Sequence, residues 1–497
     1  MLRLALAVLV FVLAAPVVSG QRTPARAAAA PEASLRRADL EAHLRFLASD
    51  ELRGRAPGTP GIDAAARYIA EQFRRFGVTP VPGQADYYQR FALTRLTPVR
   101  EQSVIALDDE VFAGVLLAGG RTFATHEGVY VEYGASPSDY AGRDVRGKIV
   151  VTRVGAEGQN APRALVELAA RKRRIADSLG AVALLEVYDA PAPWAATAGR
   201  FSRPRMELNY APSIPHLWMQ DRDGRFLPQL AATGTHPRVR LETEGLAVTT
   251  LPVQNVIGYI QGSDLRLRAE VVALSAHHDH LSAGMRGDAT PADSIFNGAR
   301  DNGTGTVALL AAAEALAQQP PKRSILLLSF TAEEMGLVGA RYFADHPTVA
   351  LDRIVYDLNV DTGGISDTTV VSLVGAGRTT ATPLVERAMQ AFGLRLYQSA
   401  EIEPLFNASD NAPLAAKGIP APTFSPGFRS LRDPLVARYY HRAADHADAS
   451  YPFGYLLRFS QAYARAARLI ADAPVRPRWT TGDAFESTAR ALYGSSY

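Results

Sequence analysis

Residues 276–284 read AHHDHLSAG, residues 297–305 read NGARDNGTG, and residues 326–336 read LLLSFTAEEMG. Two of these stretches follow apolar runs, AEVVALSA over 269–276 and SILLLSF over 324–330, which read as buried strands. The middle stretch opens an Ala/Leu-rich helical pattern that continues to residue 318. Open α/β sheets gather their chemistry at the carboxyl ends of strands and at helix starts. Those places hold His277, Asp279, Asp301, Glu333 and Glu334. All are ligand types for hard or borderline metals and none is a thiolate, so the pattern points to a metal site and not a nucleotide site.

Working outward, strand and helix patterns alternate from residue 253 on. Strands are expected at QNVIGYI, EVVALSA, SILLLSF, RIVYDLN, TVVSLVG and APTFS, with helices between and after them, the last over about 452–472. This alternation predicts an α/β fold, a mostly parallel mixed sheet flanked by helices on both faces. Between 96 and 250 the texture changes to short strands (SVIALDD, VFAGVLLAG, GVYVEYG, GKIVVTRVG, GAVALLEVY) with one helical segment, ALVELAARKRRIADSLG. The simplest division is an α/β domain over 37–95 and 251–475, with a small β-rich domain over 96–250 inserted in it. Two amphipathic helices joined by the Gly/Pro loop RGRAPGTPG precede the insertion. Residues 476–497 read as a tail laid on the surface, and the Ala/Pro/Arg-rich 21–36 as a disordered linker.

A chain of 497 residues suggests roughly two to four domains. With 53 basic and 50 acidic residues, the formal net charge is only +3, which argues against nucleic acid as a partner. The apolar run from Leu4 to about Val18 is short and Ala-rich, so residues 1–20 read as a secretory signal peptide cut near Gly20. An uncleaved anchor is the alternative, and no integral span is expected in the mature chain. There is no cysteine, hence no disulfide or thiolate ligand. A secreted or periplasmic location follows from the signal; oligomeric state stays open.

Each site residue has an ordinary reading. H-x-D at 277–279 is a common polar loop, although a strand end sends both side chains the same way and lets Asp279 fix the ring of His277. His278 and His280 fit the solvated loop. Asp301 makes a good helix N-cap, but the glycines at 298, 303 and 305 also let the backbone approach an ion. Glu333–Glu334 suit an exposed helix start, Asp361 closes an apolar strand in LNVDTGG, and His441 alone reads as a surface residue. Recurrence at four junctions of one domain shifts the balance. Three ligating carboxylates and a hydroxide match the charge of two divalent cations better than one.

In this order and spacing, H-x-D, D-N-x-[ST]-G, E-E, a strand-closing Asp and Y-H resemble metallopeptidase family 28 of clan MH. RGRAPGTPG and SDNAPLAAKGIPA add to the likeness, and DVRGKIVVTRVG with DSLGAVALLEV resembles a protease-associated (PA) domain. The resemblance implies a zinc-peptidase fold related to phosphorylase/hydrolase-like proteins. It implies two Zn2+ ions, with His277 and Asp361 on one, Glu334 and His441 on the other, and Asp301 bridging. It further implies Glu333 as general base, Asp279 behind His277, and Tyr440 at the oxyanion or substrate; Asp445 is a supporting candidate. The expected activity is exopeptidase cleavage of peptides, foremost as an aminopeptidase. A carboxypeptidase or dipeptidase of the clan and a non-catalytic receptor-like protein are the alternatives; a glutaminyl cyclase, which uses one zinc, fits less well. Arg300 and Asn411 depart from the family pattern at positions expected to touch the substrate pocket or its field.

Overall fold

The computed structural model describes residues 30–497 except 109, 160–161, 209, 212, 234–236, 282–287 and 495–496. The signal-peptide segment therefore lies outside the described residues. A nine-stranded mixed sheet runs through the molecule in the spatial order Arg395–Tyr397, Val370–Val374, Thr423–Pro426, Ile354–Val360, Val271–His277, Ser324–Phe330, Leu246–Ile260, Tyr88–Pro98 and Arg205–Leu208. Its centre is parallel, Val271–His277 pairing with Ser324–Phe330 on one side and Ile354–Val360 on the other.

These central strands are buried on both faces because successive side chains serve different layers. Val272, Leu274 and Ala276 join one core, while Val271 and Ala273 join another. Helices Arg37–Leu47, Pro60–Phe76, Gly305–Gln318, Thr382–Gln390 and Phe453–Asp472 cover the first face; Val338–Asp345, Asn411–Ala416 and Glu486–Tyr493 cover the second. Gly305–Gln318 is apolar nearly all round and correspondingly buried. Pro60–Phe76 starts on a proline at its first position and stops at Gly77, whose φ of 82° is left-handed.

Strands Ser103–Leu107, Glu110–Ala118, His216–Gln220, Ala183–Tyr188, Ile149–Arg153, Thr122–Tyr130 and Arg238–Thr243 close into a barrel. Tyr88–Pro98 and Leu246–Ile260 pair antiparallel over eleven positions and run through the boundaries expected at 95/96 and 250/251. Arg205–Leu208, from inside the 96–250 segment, also pairs with Tyr88–Pro98 and forms the outer edge of the large sheet.

Two expectations need correction. Within the segment read as a disordered linker, Pro31–Ser34 form a 3-10 turn whose Glu32 is buried against Arg468. The segment from 476 is not a surface tail: Trp479, Ala489 and Tyr493 are buried in the second core, and Trp479 Nε1 donates to Gly418 O at 2.9 Å. Isolated aromatics without helical spacing gave no sign of this packing.

Between the outer face of the barrel wall and the helix Pro162–Ser178, Glu186 accepts from Lys172 Nζ at 2.5 Å, His216 Nε2 at 2.7 Å and Trp218 Nε1 at 2.9 Å, and all four side chains are fully buried. Burial raises the Glu186 pKa, but Lys172 and His216 outweigh it and bring it to about 2, against a usual 4.5. Burial holds the His216 pKa below 6.5. In both cases the unfolded chain takes up protons more readily, so stability drains as pH falls: first below 6.5 through His216, then from 4.5 toward 2 through Glu186. Lys172→Met should cost about 3–5 kcal/mol by leaving a buried carboxylate without its cation. The gap in urea midpoint between the wild type and Lys172→Met should narrow from neutral pH to about pH 4, as the variant's unpaired Glu186 takes up its proton; a gap that widened would contradict this assignment.

Candidate metal centre

Strand ends at the carboxyl edge of the sheet carry His277, Glu333–Glu334 and Asp361, and the turn before Gly305–Gln318 carries Asp301. His441 follows the short helix Pro434–Tyr439 and adopts a left-handed φ of 55°. Although these residues span 165 positions of sequence (277 to 441), their side chains meet in one pocket. His277 Nε2 lies 3.2 Å from Asp361 Oδ1, 3.5 Å from Asp301 Oδ1 and 4.0 Å from Glu333 Oε2. His441 Nε2 lies 3.0 Å from Asp301 Oδ2 and 3.1 Å from Glu334 Oε2. The two oxygens of Asp301 thus face two different donor groups.

The electrostatics show the sign of the field in this pocket. Burial pulls the pKa of both histidines down, yet the carboxylates reverse the effect. Asp361 and Glu333 lift His277 well above its usual value, and Asp301 and Glu334 lift His441 to about 10. Burial and Glu334 push Asp301 upward, while His280 and His441 overcome burial at Glu334 and hold it well below the usual range. Glu333 is pushed well above the usual carboxyl range by burial and by Asp361, Asp410 and Glu334, against His277. A cluster that forces buried imidazoles to hold protons has an excess of negative potential. Its nitrogen and oxygen donors, with no sulfur, fit divalent zinc.

His280 belongs to this cluster and is not a solvated loop residue. It is 1% exposed, with Nδ1 2.8 Å from Glu334 Oε1 and 4.0 Å from Asp301 Oδ2. The 2.8 Å approach lies outside hydrogen-bond geometry on both atoms, as expected of two acceptors aimed at a shared cation. His277, Asp301 and Asp361 form one set whose ligand atoms fall within 4.8 Å of one another, and His280, Asp301 and Glu334 another. His278 is also buried, against Ser329 Oγ at 3.0 Å, and burial with nearby Arg55 takes its pKa to about 3.

The supporting residues differ in detail from expectation. His277 Nδ1 is nearer the Asp279 carbonyl, at 3.2 Å, than its carboxylate, at 3.6 Å. The carboxylate of Asp279 instead accepts the amides of Glu333 at 3.0 Å and Glu334 at 3.3 Å, which fixes the turn carrying both. Asp445 accepts the amides of Arg300 and Asp301 at 2.9 and 3.2 Å. Tyr440 stacks on His441 with ring centroids 4.0 Å apart. Asn411 does not line the pocket; its amide donates to Phe406 O and Ala421 O, both at 3.0 Å. Arg300 does not line it either. Beside the donors the pocket turns apolar at Val374, Leu405, Phe428 and Leu431.

Fold and site together define an α/β protein with a candidate divalent-cation pocket at the carboxyl edge of its sheet. A model of Peptidase family M28 matches residues 255–464, and over that stretch the chain is similar to this family. Over 312 residues it is 26% identical to the probable leucine aminopeptidase 2 of Aspergillus oryzae, covering 62% of this chain and 55% of that protein. Over 121 residues it is 31% identical to aminopeptidase YwaD of Bacillus subtilis, covering 24% of each. The matched chain thus spans about half the length of the first relative and a quarter of the second. Its fold is similar to that of an aminopeptidase from Aneurinibacillus sp. strain AM-1, with a TM-score of 0.57 and 21% identity over 88% of this chain and 94% of the other.

One residue passed over in the sequence holds two of the site loops. Arg55, from RGRAPGTPG, is 1% exposed and donates to His278 O at 2.8 Å, Asn297 O at 2.6 Å, Gly298 O at 3.0 Å and Leu47 O. Burial lowers its pKa to about 10, resisted by Asp279 and Asp301. Arg55→Met should destabilise the fold by at least about 3 kcal/mol, since several buried carbonyls lose their donors at once. Urea unfolding monitored by fluorescence measures this, and a loss below about 1 kcal/mol would show that the loops do not depend on Arg55.

Proposed function

We propose that the protein is an exported zinc-dependent exopeptidase, foremost an aminopeptidase that removes N-terminal residues from peptides. The observation that carries this reading is the split of Asp301, Oδ1 toward His277 and Asp361 and Oδ2 toward Glu334 and His441. The match of residues 255–464 to the model of Peptidase family M28 and the resemblance to named aminopeptidases support it. His277, Asp301, Glu334, Asp361 and His441 would hold two zinc ions, with His280 beside the second. Bound there, the ions supply Lewis-acid polarisation of the scissile carbonyl and make water acidic enough to yield hydroxide near neutral pH.

Glu333 then has the part of general base. Its carboxylate faces the pocket from a turn fixed by Asp279, takes the proton of the attacking water and delivers it to the leaving amine. The apolar wall formed by Val374, Leu405, Phe428 and Leu431 suits an apolar side chain next to the cleaved bond. Tyr440, at the pocket mouth on His441, suits a contact with the oxyanion or substrate. The 96–250 segment is taken as a protease-associated domain and residues 1–20 as a cleaved export signal. Among the described residues no helix is long and apolar enough to cross a membrane.

Glu333→Gln should retain bound zinc by metal analysis and lower kcat by about 10²–10⁴-fold on a leucyl chromogenic substrate. Undiminished activity would remove Glu333 as the base. Free and N-acetylated peptides decide the direction of attack. Cleavage of N-acetylated peptides from the carboxyl end would favour a carboxypeptidase, cleavage of free dipeptides alone a dipeptidase, and either would end the aminopeptidase reading.

A further inference from the structure

Asp301 and His441 come from segments about 140 positions apart, and no covalent link holds their side chains 3.0 Å from one another. What lies behind them is a buried ion pair made by one of the chain's departures from its family pattern. Arg300 is 3% exposed and Asp445 fully buried, with Arg300 Nη1 3.0 Å from Asp445 Oδ1. The same carboxylate accepts the backbone amides of Arg300 and Asp301. Ala299 N donates to Asp445 O at 3.1 Å, closing the 299–301 turn against the 439–446 loop from a second side.

The guanidinium is also stacked. Its Cζ lies 3.7 Å from the ring centre of Tyr439 and 5.1 Å from that of Tyr451, and Tyr451 Oη meets Thr304 Oγ1 at 2.6 Å. Tyr439 is two residues before His441, while Arg300 is one before Asp301. Arginine suits such a place because its planar cation pairs with a carboxylate in its plane and stacks on an aromatic ring across it. A lysine keeps the charge and loses the stack.

We infer that Arg300 is a positioning residue: with Asp445 and Tyr439 it clamps the turn carrying Asp301 to the loop carrying His441, and so sets the second cation position before any cation binds. His441 occupies a left-handed backbone conformation that a non-glycine residue rarely adopts, so its loop needs such external restraint. Arg300 touches neither substrate nor ligand atoms, and its effect passes through Asp301 and His441.

The inference rests on the two-zinc reading, and the test separates them. The full-length wild type, Arg300→Met, Arg300→Lys and Tyr439→Leu are stripped of metal and titrated with Zn2+ alone against a chromophoric chelator, alongside thermal unfolding of the metal-free forms. The wild type should bind two ions. Arg300→Met should bind one of them at least tenfold more weakly, with kcat falling more than KM changes, and Arg300→Lys should recover only part of the affinity. Tyr439→Leu removes the stack alone and should show the same selective weakening to a smaller degree, which keeps the test open should Arg300→Met not fold. Two ions bound with wild-type affinity in the Met and Leu variants, whatever their melting temperatures, would overturn the clamp. A wild type that binds fewer than two ions would overturn the two-zinc reading, and the clamp with it.

Discussion

Five carboxylates, those of Asp279, Asp301, Glu333, Glu334 and Asp361, are crowded at one largely buried edge of the sheet, and their mutual repulsion is the constraint that the surrounding structure has to meet. Like charges at this spacing in a medium of low polarity oppose folding strongly. The chain answers with fixed donors on all but Glu333. Asp279 takes two backbone amides, Asp361 takes the Thr362 amide at 2.7 Å, and Glu334 faces two imidazoles. Glu333 has the least help and shows the largest tendency to keep its proton. The carboxyl left least neutralised is the one whose proposed work is to receive a proton.

Two buried arginines complete this arrangement from behind. Arg55 spends its donors on main-chain carbonyls and makes no direct carboxylate contact, so its charge acts on the pocket at longer range. Arg300 pairs directly with Asp445. One positions loops through backbone, the other through an ion pair, and both lie under the acidic cluster and outside the substrate pocket. Because the cations are built in behind the ligands, the loops can be ordered while the donor atoms in front remain aimed at a shared centre.

Much of this was legible in the sequence because the central strands advertise themselves. VVALSA and SILLLSF are apolar apart from Ser275, Ser324 and Ser329 and buried at every position, as a sheet covered on both faces requires, and metal-type residues begin where each strand ends. The metal-type residues were therefore found by place as much as by identity. His280 was missed for the same physical reason. In HHDH, the sequence holds three imidazoles within four positions, all of them buried, and which of them reaches the donor cluster depends on contacts made elsewhere. His280 N donates to Arg55 O at 3.1 Å, a contact 225 positions away. Nothing local encodes that. The C-terminal segment hid its packing similarly, since Trp479 is buried by residues of the second core that lie far from it in sequence.

The long antiparallel pair Tyr88–Pro98 and Leu246–Ile260 ties the barrel to the sheet that holds the pocket. Val256 to Ile260 pair in turn with Ser329 to Ile325, the strand that ends at Phe330, three residues before Glu333. A domain attached by a flexible linker would move independently of the site. Here the strand entering from the barrel is hydrogen-bonded to the strand that delivers Glu333 and Glu334, and Arg205–Leu208 adds a third strand from the inserted segment. Rotation of the barrel therefore requires bending a continuous sheet, not swinging a hinge. Among the described residues none of the barrel lines the pocket, so this rigidity reaches the site through the strand that ends before Glu333 and Glu334, and not as a wall or lid over the donors.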